Sequence, residues 1–389
     1  MKKFFGFSLI LIISLFMILQ SPMLVVTGEN EERNYLLKST VQYSNPSLTH
    51  MWNFTELEED RTINLFMNNS LQTVKLLNST FPVEAVKNDS DGNAVAVLQF
   101  PQTELLSGQN MSFVVWYQIM TRPRTIPNIN ENESGELGDI VPSFVSNYTK
   151  EEGPWQTSNV TLRQLAFSLK GNETRVLSIV KSFIVWIKDH VVYPRILHEV
   201  PYYPSETYSK LEGDCDDQAM LLITLCRIVE IPAYLQIGCI YMPNKSLEED
   251  TYWDNHVTFV QKHIGWHGWA IVYIPPWGWL PVDLTYVLQG LKDEPLNAIR
   301  HGAITEPTAA QYKNVTHKDY VASPHADRAF VTLNGFEVFA EDEMFLGGEQ
   351  KQPEVFVDPS TNWIPIALAA VIVLLIGTSL FLVRKWTKR

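Results

Sequence analysis

Residues 215–229 form a helical pattern that is apolar on nearly every side. Ala219, Leu222, Ile223 and Cys226 make one stripe at spacings of three and four, and Met220, Leu221 and Leu225 widen it, so the helix must be nearly enclosed by other layers. Its start is equally legible. Asp214 fits the N-cap, Cys215 takes the first helical position, and Asp217 is placed to return a capping-box bond. Pro232 ends the helical stretch, and residues 233–242 read as a buried strand.

A thiol at a helix N-terminus faces unpaired N–H groups and the positive end of the macrodipole, both of which favour the thiolate. Two further residues complete a relay. His267 stands in Trp266-His267-Gly268-Trp269 at a strand start, and Asp283 ends the next strand in Trp279-Leu280-Pro281-Val282-Asp283. Nucleophile, base and orienter need these residue types: the imidazole takes the thiol proton, and the acid fixes its tautomer and stabilises its charged form. Asp214, Asp216 and Asp217 act against the helix end, because neighbouring carboxylates raise a thiol's pKa. His256 and His263 are the rival bases on the same stretch, but neither precedes a Gly-Trp strand start. They suggest a metal cluster only weakly, with no acid or thiol placed to complete it, so no metal or other cofactor is expected.

Three blocks in order carry a family resemblance: Gly213-Asp214-Cys215 followed by Ala219, Leu222, Leu225, Arg227 and Ile231-Pro232-Ala233; His267-Gly268-Trp269; and Trp279 to Thr285. Together they resemble the transglutaminase-like superfamily, which shares its catalytic core with papain-type enzymes. The resemblance covers about residues 162–285 and departs at Gly268, where the family usually has alanine, a change expected to loosen the strand slightly. It implies an α+β fold with helices packed on an antiparallel sheet, and a cysteine enzyme acting on amide or peptide carbonyls through Cys215, His267 and Asp283 and a thioester. Hydrolysis is slightly favoured over cross-linking acyl transfer, since water is abundant at an unshielded site. The alternative is a non-enzymatic surface, envelope or adhesion protein built on the same core.

The ends bound where such a chain works. Residues 1–27, with Lys2 and Lys3 before an apolar run, read as a signal peptide or signal anchor. Residues 363–383 read as a transmembrane helix, charge-free from Ile364 to Val383, and the basic tail 384–389 is then cytoplasmic. Sequons occur at Asn53, Asn68, Asn78, Asn88, Asn110, Asn132, Asn147, Asn159, Asn172, Asn244 and Asn314, all between the two apolar runs. The expectation is a single-pass, glycosylated cell-membrane protein with its site outside, meeting a protein or peptide substrate. A formal net charge of −13, more negative still without the basic ends, excludes nucleic acid as a partner. Three cysteines are too few for a disulfide framework; Cys226 and Cys239 either pair or are buried thiols, and Cys215 is left over.

Between the ends, residues 28–120 alternate as short strands and read as a β-sandwich-like domain. Residues 121–158 read as an irregular linker, 159–345 as the catalytic domain and 346–362 as a stalk. A helix is expected at 174–191, and polar loop at 244–254. Residues 268–283 are expected as a hairpin with Tyr273 opposite Trp279, and 328–341 as a second hairpin turning at Asn334-Gly335. Parity then puts Asp283 diagonal to His267 on one face.

Overall fold

The computed structural model describes residues 32–55, 58–195, 198–286 and 294–347. The segments expected at 1–27, 363–383 and 384–389, and the stalk beyond residue 347, lie outside the described residues. Among the described residues no helix is long and apolar enough to cross a membrane.

The chain begins with β1 (Arg33–Ser44), β2 (Trp52–Asn53), β3 (Thr62–Asn64), β4 (Gln72–Ser79), β5 (Val83–Asn88), β6 (Ala94–Leu98), β7 (Glu104–Leu105) and β8 (Asn110–Thr121). Five α-helices follow: α1 (Pro142–Tyr148), α2 (Val160–Lys170), α3 (Val176–His190), α4 (Pro204–Lys210) and α5 (Cys215–Ile228). The second half supplies β9 (Ala233–Tyr241), β10 (Glu248–Tyr252), β11 (Val257–Lys262), β12 (Ile264–Ile274) and β13 (Gly278–Val282). It closes with α6 (Asn297–Arg300), β14 (Ala309–Val315), α7 (Ala322–Asn334) and β15 (Glu337–Leu346). The fold is mixed α+β.

Two sheets organise the molecule. The four-stranded one runs β13-β12-β9-β14, and all its pairs are antiparallel. Helices cover part of it: Val180, Phe183 and Ile187 of α3 and Leu222, Ile223 and Cys226 of α5 share a core with Leu235, Ile237 and Val272. Helix α5 is enclosed as its pattern demands, every residue from Asp216 to Ile228 being buried. The six-stranded sheet runs β10-β11-β15-β1-β8-β4. Its core, with Tyr35, Leu37, Trp52, Phe113 and Met344, also takes in Cys239, Ile264 and Ala310 from the four-stranded sheet. Cys226 and Cys239 thus belong to different cores, and both are free and buried.

The segment expected as a β-domain of its own shares its largest sheet with the far end of the chain. Strand β15 pairs along the length of β1, from Tyr35 opposite Leu346 to Ser44 opposite Glu337, and lies parallel to β11 on its other side. The region expected as an irregular linker is also packed in. Trp155 is buried, donates to the Thr316 carbonyl at 2.7 Å and lies beneath the buried Arg227 guanidinium.

Two local expectations give way and a third holds. Residues 328–341 are not a hairpin: α7 runs to Asn334, and Gly335, at φ 68°, is its left-handed C-cap. Asn-Gly supplies a left-handed residue in either setting, and here it ends a helix. The polar stretch at 244–254 contains the short edge strand β10, whose exposed acidic side chains suit a sheet margin. Within β12–β13, Tyr273 does face Trp279, as parity requires.

Candidate active site

Cys215 opens α5. The Asp214–Asp217 capping box is formed, with the Asp214 N–H donating to Asp217 Oδ2 at 3.2 Å. The neighbouring strand comes very close. A Cβ on Gly268 would lie 2.9 Å from Asp216 Cβ and 3.2 Å from Ile237 Cδ1. The glycine therefore does not loosen the strand; it lets the helix start seat directly against β12. That approach sets the Gly268 N–H beside the Cys215 sulfur, where it lowers the thiol's pKa. Opposite His267 stands Gly238, where a Cβ would meet the Ala310 carbonyl and the buried Trp269 ring. Glycine on both strands thus makes room at the level of the base.

His267 and Asp283 meet across the β12–β13 pair. Nε2 is 2.9 Å from Asp283 Oδ2. The carboxylate is 1% exposed and also accepts from the N–H groups of Ala303 (2.9 Å), Tyr286 (3.1 Å) and Thr285 (3.2 Å). Burial alone would raise its pKa. The adjacent imidazole and the backbone donors outweigh that and hold it below the usual carboxylate range. The Ala303 donor comes from the turn after α6, and a Cβ at Gly302 would lie 2.9 Å from Asp283 Cβ. Sequence reasoning missed this cradle; its only trace was a lone glycine at 302.

The structure therefore pairs the histidine and the acid named from the sequence, and it sets the thiol at a helix start packed against the residue that follows that histidine. The electrostatics at the thiol differ from the simplest expectation. Burial pushes Cys215 well above its usual pKa, Asp216 and Asp214 add to the rise, and the Gly268 N–H opposes it. In the resting site burial first, and then the nearby carboxylates, act against the helix end. Asp216 lies close to both Asp214 and Tyr320 and raises the pKa of each beyond what burial does. Burial first, and then Asp216, push Asp214 and Asp217 upward as well.

His256 and His263 are not part of this arrangement. His256 Nδ1 lies 2.6 Å from the Phe336 carbonyl. His263 sits at a left-handed turn, φ 55°, between β11 and β12. The tryptophans flanking His267 and preceding Asp283 divide into separate roles. Trp269 is core and donates to Gln236 at 3.1 Å; Trp266 donates to Asp342 at 2.8 Å; Trp279 packs with Phe144, Tyr148, Tyr234 and Tyr273. One histidine went unnoticed in the sequence: His198 Nε2 is 2.5 Å from Asp217 Oδ2. Nothing around it in the sequence marks a site.

Two sets of donor atoms lie within 4.8 Å of one another, His198 with Asp214 and Asp217, and Asp214 with Cys215 and Asp216. The Asp217 oxygens are taken up by His198 and by the Tyr202 and Asp214 N–H groups, whereas Asp214 Oδ1 is buried without a hydrogen-bond partner. Neither set is assigned as a metal centre.

Residues 163–284 match the transglutaminase-like superfamily, a span that includes Cys215, His267 and Asp283. No curated protein matches the chain. Among solved structures, a candidate cysteine protease from Cytophaga hutchinsonii is similar at 18% identity and a TM-score of 0.49, over 84% of this chain and 95% of its own. The periplasmic domain of TgpA from Pseudomonas aeruginosa is similar at 13% identity and a TM-score of 0.30, over 69% of this chain and 91% of its own.

Proposed function

We propose that this chain, which carries a transglutaminase-like domain, is a thiol enzyme that attacks a carboxamide or peptide carbonyl. One observation carries the reading: His267 Nε2 lies 2.9 Å from Asp283 Oδ2, on the strand whose next residue, Gly268, packs against the start of the helix that opens at Cys215. Nδ1 is then the nitrogen left to take the thiol proton. Burial and the Asp216 and Asp214 carboxylates favour the neutral thiol over the thiolate, so attack calls on His267 to take the proton. Sγ bonds to the carbonyl carbon as its proton passes to His267. The Cys215 backbone N–H, free at the helix start, stabilises the oxyanion. Collapse breaks the C–N bond, and the leaving amine takes the proton from His267. The thioester is then resolved by water, giving an acid, or by an amine, giving a new amide; water is favoured by its abundance.

The site is proposed to work outside the cytoplasm, on protein or peptide substrates, with the chain anchored through residues 363–383. The apolar segment and basic tail support this. So does the exposure of Asn68, Asn78, Asn88, Asn110, Asn132, Asn147, Asn172 and Asn244, which a glycan could reach. Asn53, Asn159 and Asn314 are half-buried, and Asn314 Oδ1 accepts from the buried Gln236.

The test is a carboxamide-bearing peptide offered to the full chain with and without a primary amine. The expected result is ammonia release that requires Cys215, with free acid formed when no amine is present. Ammonia release undiminished in Cys215→Ala would refute the reading.

A further inference from the structure

A second imidazole–carboxylate pair lies at the start of α5, outside the Cys215, His267 and Asp283 set. His198 Nε2 approaches Asp217 Oδ2 at 2.5 Å, and Nδ1 lies 3.9 Å from Asp214 Oδ2. Asp217 has no exposed side-chain surface, and His198 has 12%. Asp217 Oδ1 accepts the Tyr202 N–H at 2.8 Å, and Oδ2 also accepts the Asp214 N–H at 3.2 Å. The imidazole is packed edge-on against Tyr202, with ring centroids 3.8 Å apart, and Lys210 Nζ lies 3.5 Å over that tyrosine.

A capping box needs only the two carboxylates and two helix N–H groups. Here the returning acid holds an imidazole and a second loop N–H besides. Asp214 and Asp217 bracket Cys215, so a turn of the Asp217 side chain shifts the Asp214 main chain and the nucleophile with it. Around His198 stand the carboxyl groups of Asp214 at the N-cap of α5, Asp216 and Asp217 in its first turn, Glu212 before it and Glu206 on α4, with Lys210 as the cation beside them. An Asp217 released from His198 would be a further buried carboxylate with freedom to move beside the thiol. Carboxylates close to a thiol hold it protonated.

We propose that His198 is a positioning residue for Cys215: its Nε2 bond to Asp217 fixes the first turn of α5 in the arrangement from which the thiol passes its proton to His267. The proposal rests on the reading of Cys215 as the nucleophile.

The experiment is the rate of Cys215 alkylation by iodoacetamide against pH in the full-length protein, compared for wild type, His198→Ala and His198→Gln. Loss of the imidazole should slow labelling about tenfold at neutral pH and move the profile to higher pH, as a misplaced reacting group does. Glutamine places an amide N–H near the Nε2 position, so His198→Gln should recover most of the rate. A wild-type profile in His198→Ala, or no recovery in His198→Gln, overturns the proposal. Should His198→Ala fail to fold, His198→Leu stands in for it, filling the space without a donor, with the same slowing expected and a wild-type profile overturning the proposal. If Cys215 in the wild type is not labelled ahead of Cys226 and Cys239, the nucleophile reading falls and this proposal with it. If His267→Ala abolishes labelling while the His198 variants change nothing, only this proposal falls.

Discussion

Asp283 is a buried carboxylate held by one imidazole and three backbone N–H groups. Hydrogen bonds to an ionised acid are charge-assisted, so this residue both orients His267 and closes the turn after β13. Its pKa is depressed in the fold, which sets the sign of a stability effect. The contribution is fully present above the unfolded value of about 3.9 and is lost as pH falls through the folded value. Asp283→Asn keeps the shape and loses the charge. Thermal unfolding of the two proteins should therefore show the wild type ahead at neutral pH, with the gap narrowing below about pH 4. A gap that stays constant down to acid pH would mean that the charge contributes nothing. Thiol alkylation in the same variant should slow by about two orders of magnitude or more, since the imidazole loses its fixed tautomer.

The pairing of α5 with β12 is where elements make the site. Nothing larger than hydrogen fits at 268 without displacing Asp216 or Ile237. Gly268→Ala should cost about 1–3 kcal/mol, as an overpacked interior contact does, and should slow alkylation of Cys215 by loosening the sulfur from the strand N–H. Equal melting temperatures and equal labelling rates would show that the close approach has no consequence. At this scale the sequence was readable wherever periodicity and capping agreed. Helix α5 began at Cys215 as expected, α3 fell within 174–191, and the odd loop put Tyr273 opposite Trp279. It was unreadable where one local signal serves two structures. Asn334-Gly335 suits a hairpin or a helix cap, and only the packing of Val331 and Phe330 in the inter-sheet core decides. The cradle at Gly302–Ala303 and the His198 pair were illegible for another reason. Both depend on contacts between segments distant in the chain, and neither leaves a spacing to read.

At the scale of the whole molecule, the first strand is completed by the last. Strand β15 fills the place between β1 and β11, so the ladder along one side of β1 comes from residues some three hundred positions away. A fragment of residues 28–120 lacks that ladder and much of the core it closes. It should show no cooperative unfolding transition in circular dichroism; a sharp one would mean that the segment folds by itself. The proposed function makes Cys215 a His267-dependent nucleophile on the outer side of a membrane. Its most direct test is labelling of intact cells with a membrane-impermeant iodoacetamide, mapped residue by residue with mass spectrometry. Cys215 should be modified ahead of the fully buried Cys226 and Cys239, and the rate should collapse in His267→Ala. Protection of Cys215 in intact cells, or an unchanged rate in His267→Ala, would contradict the account.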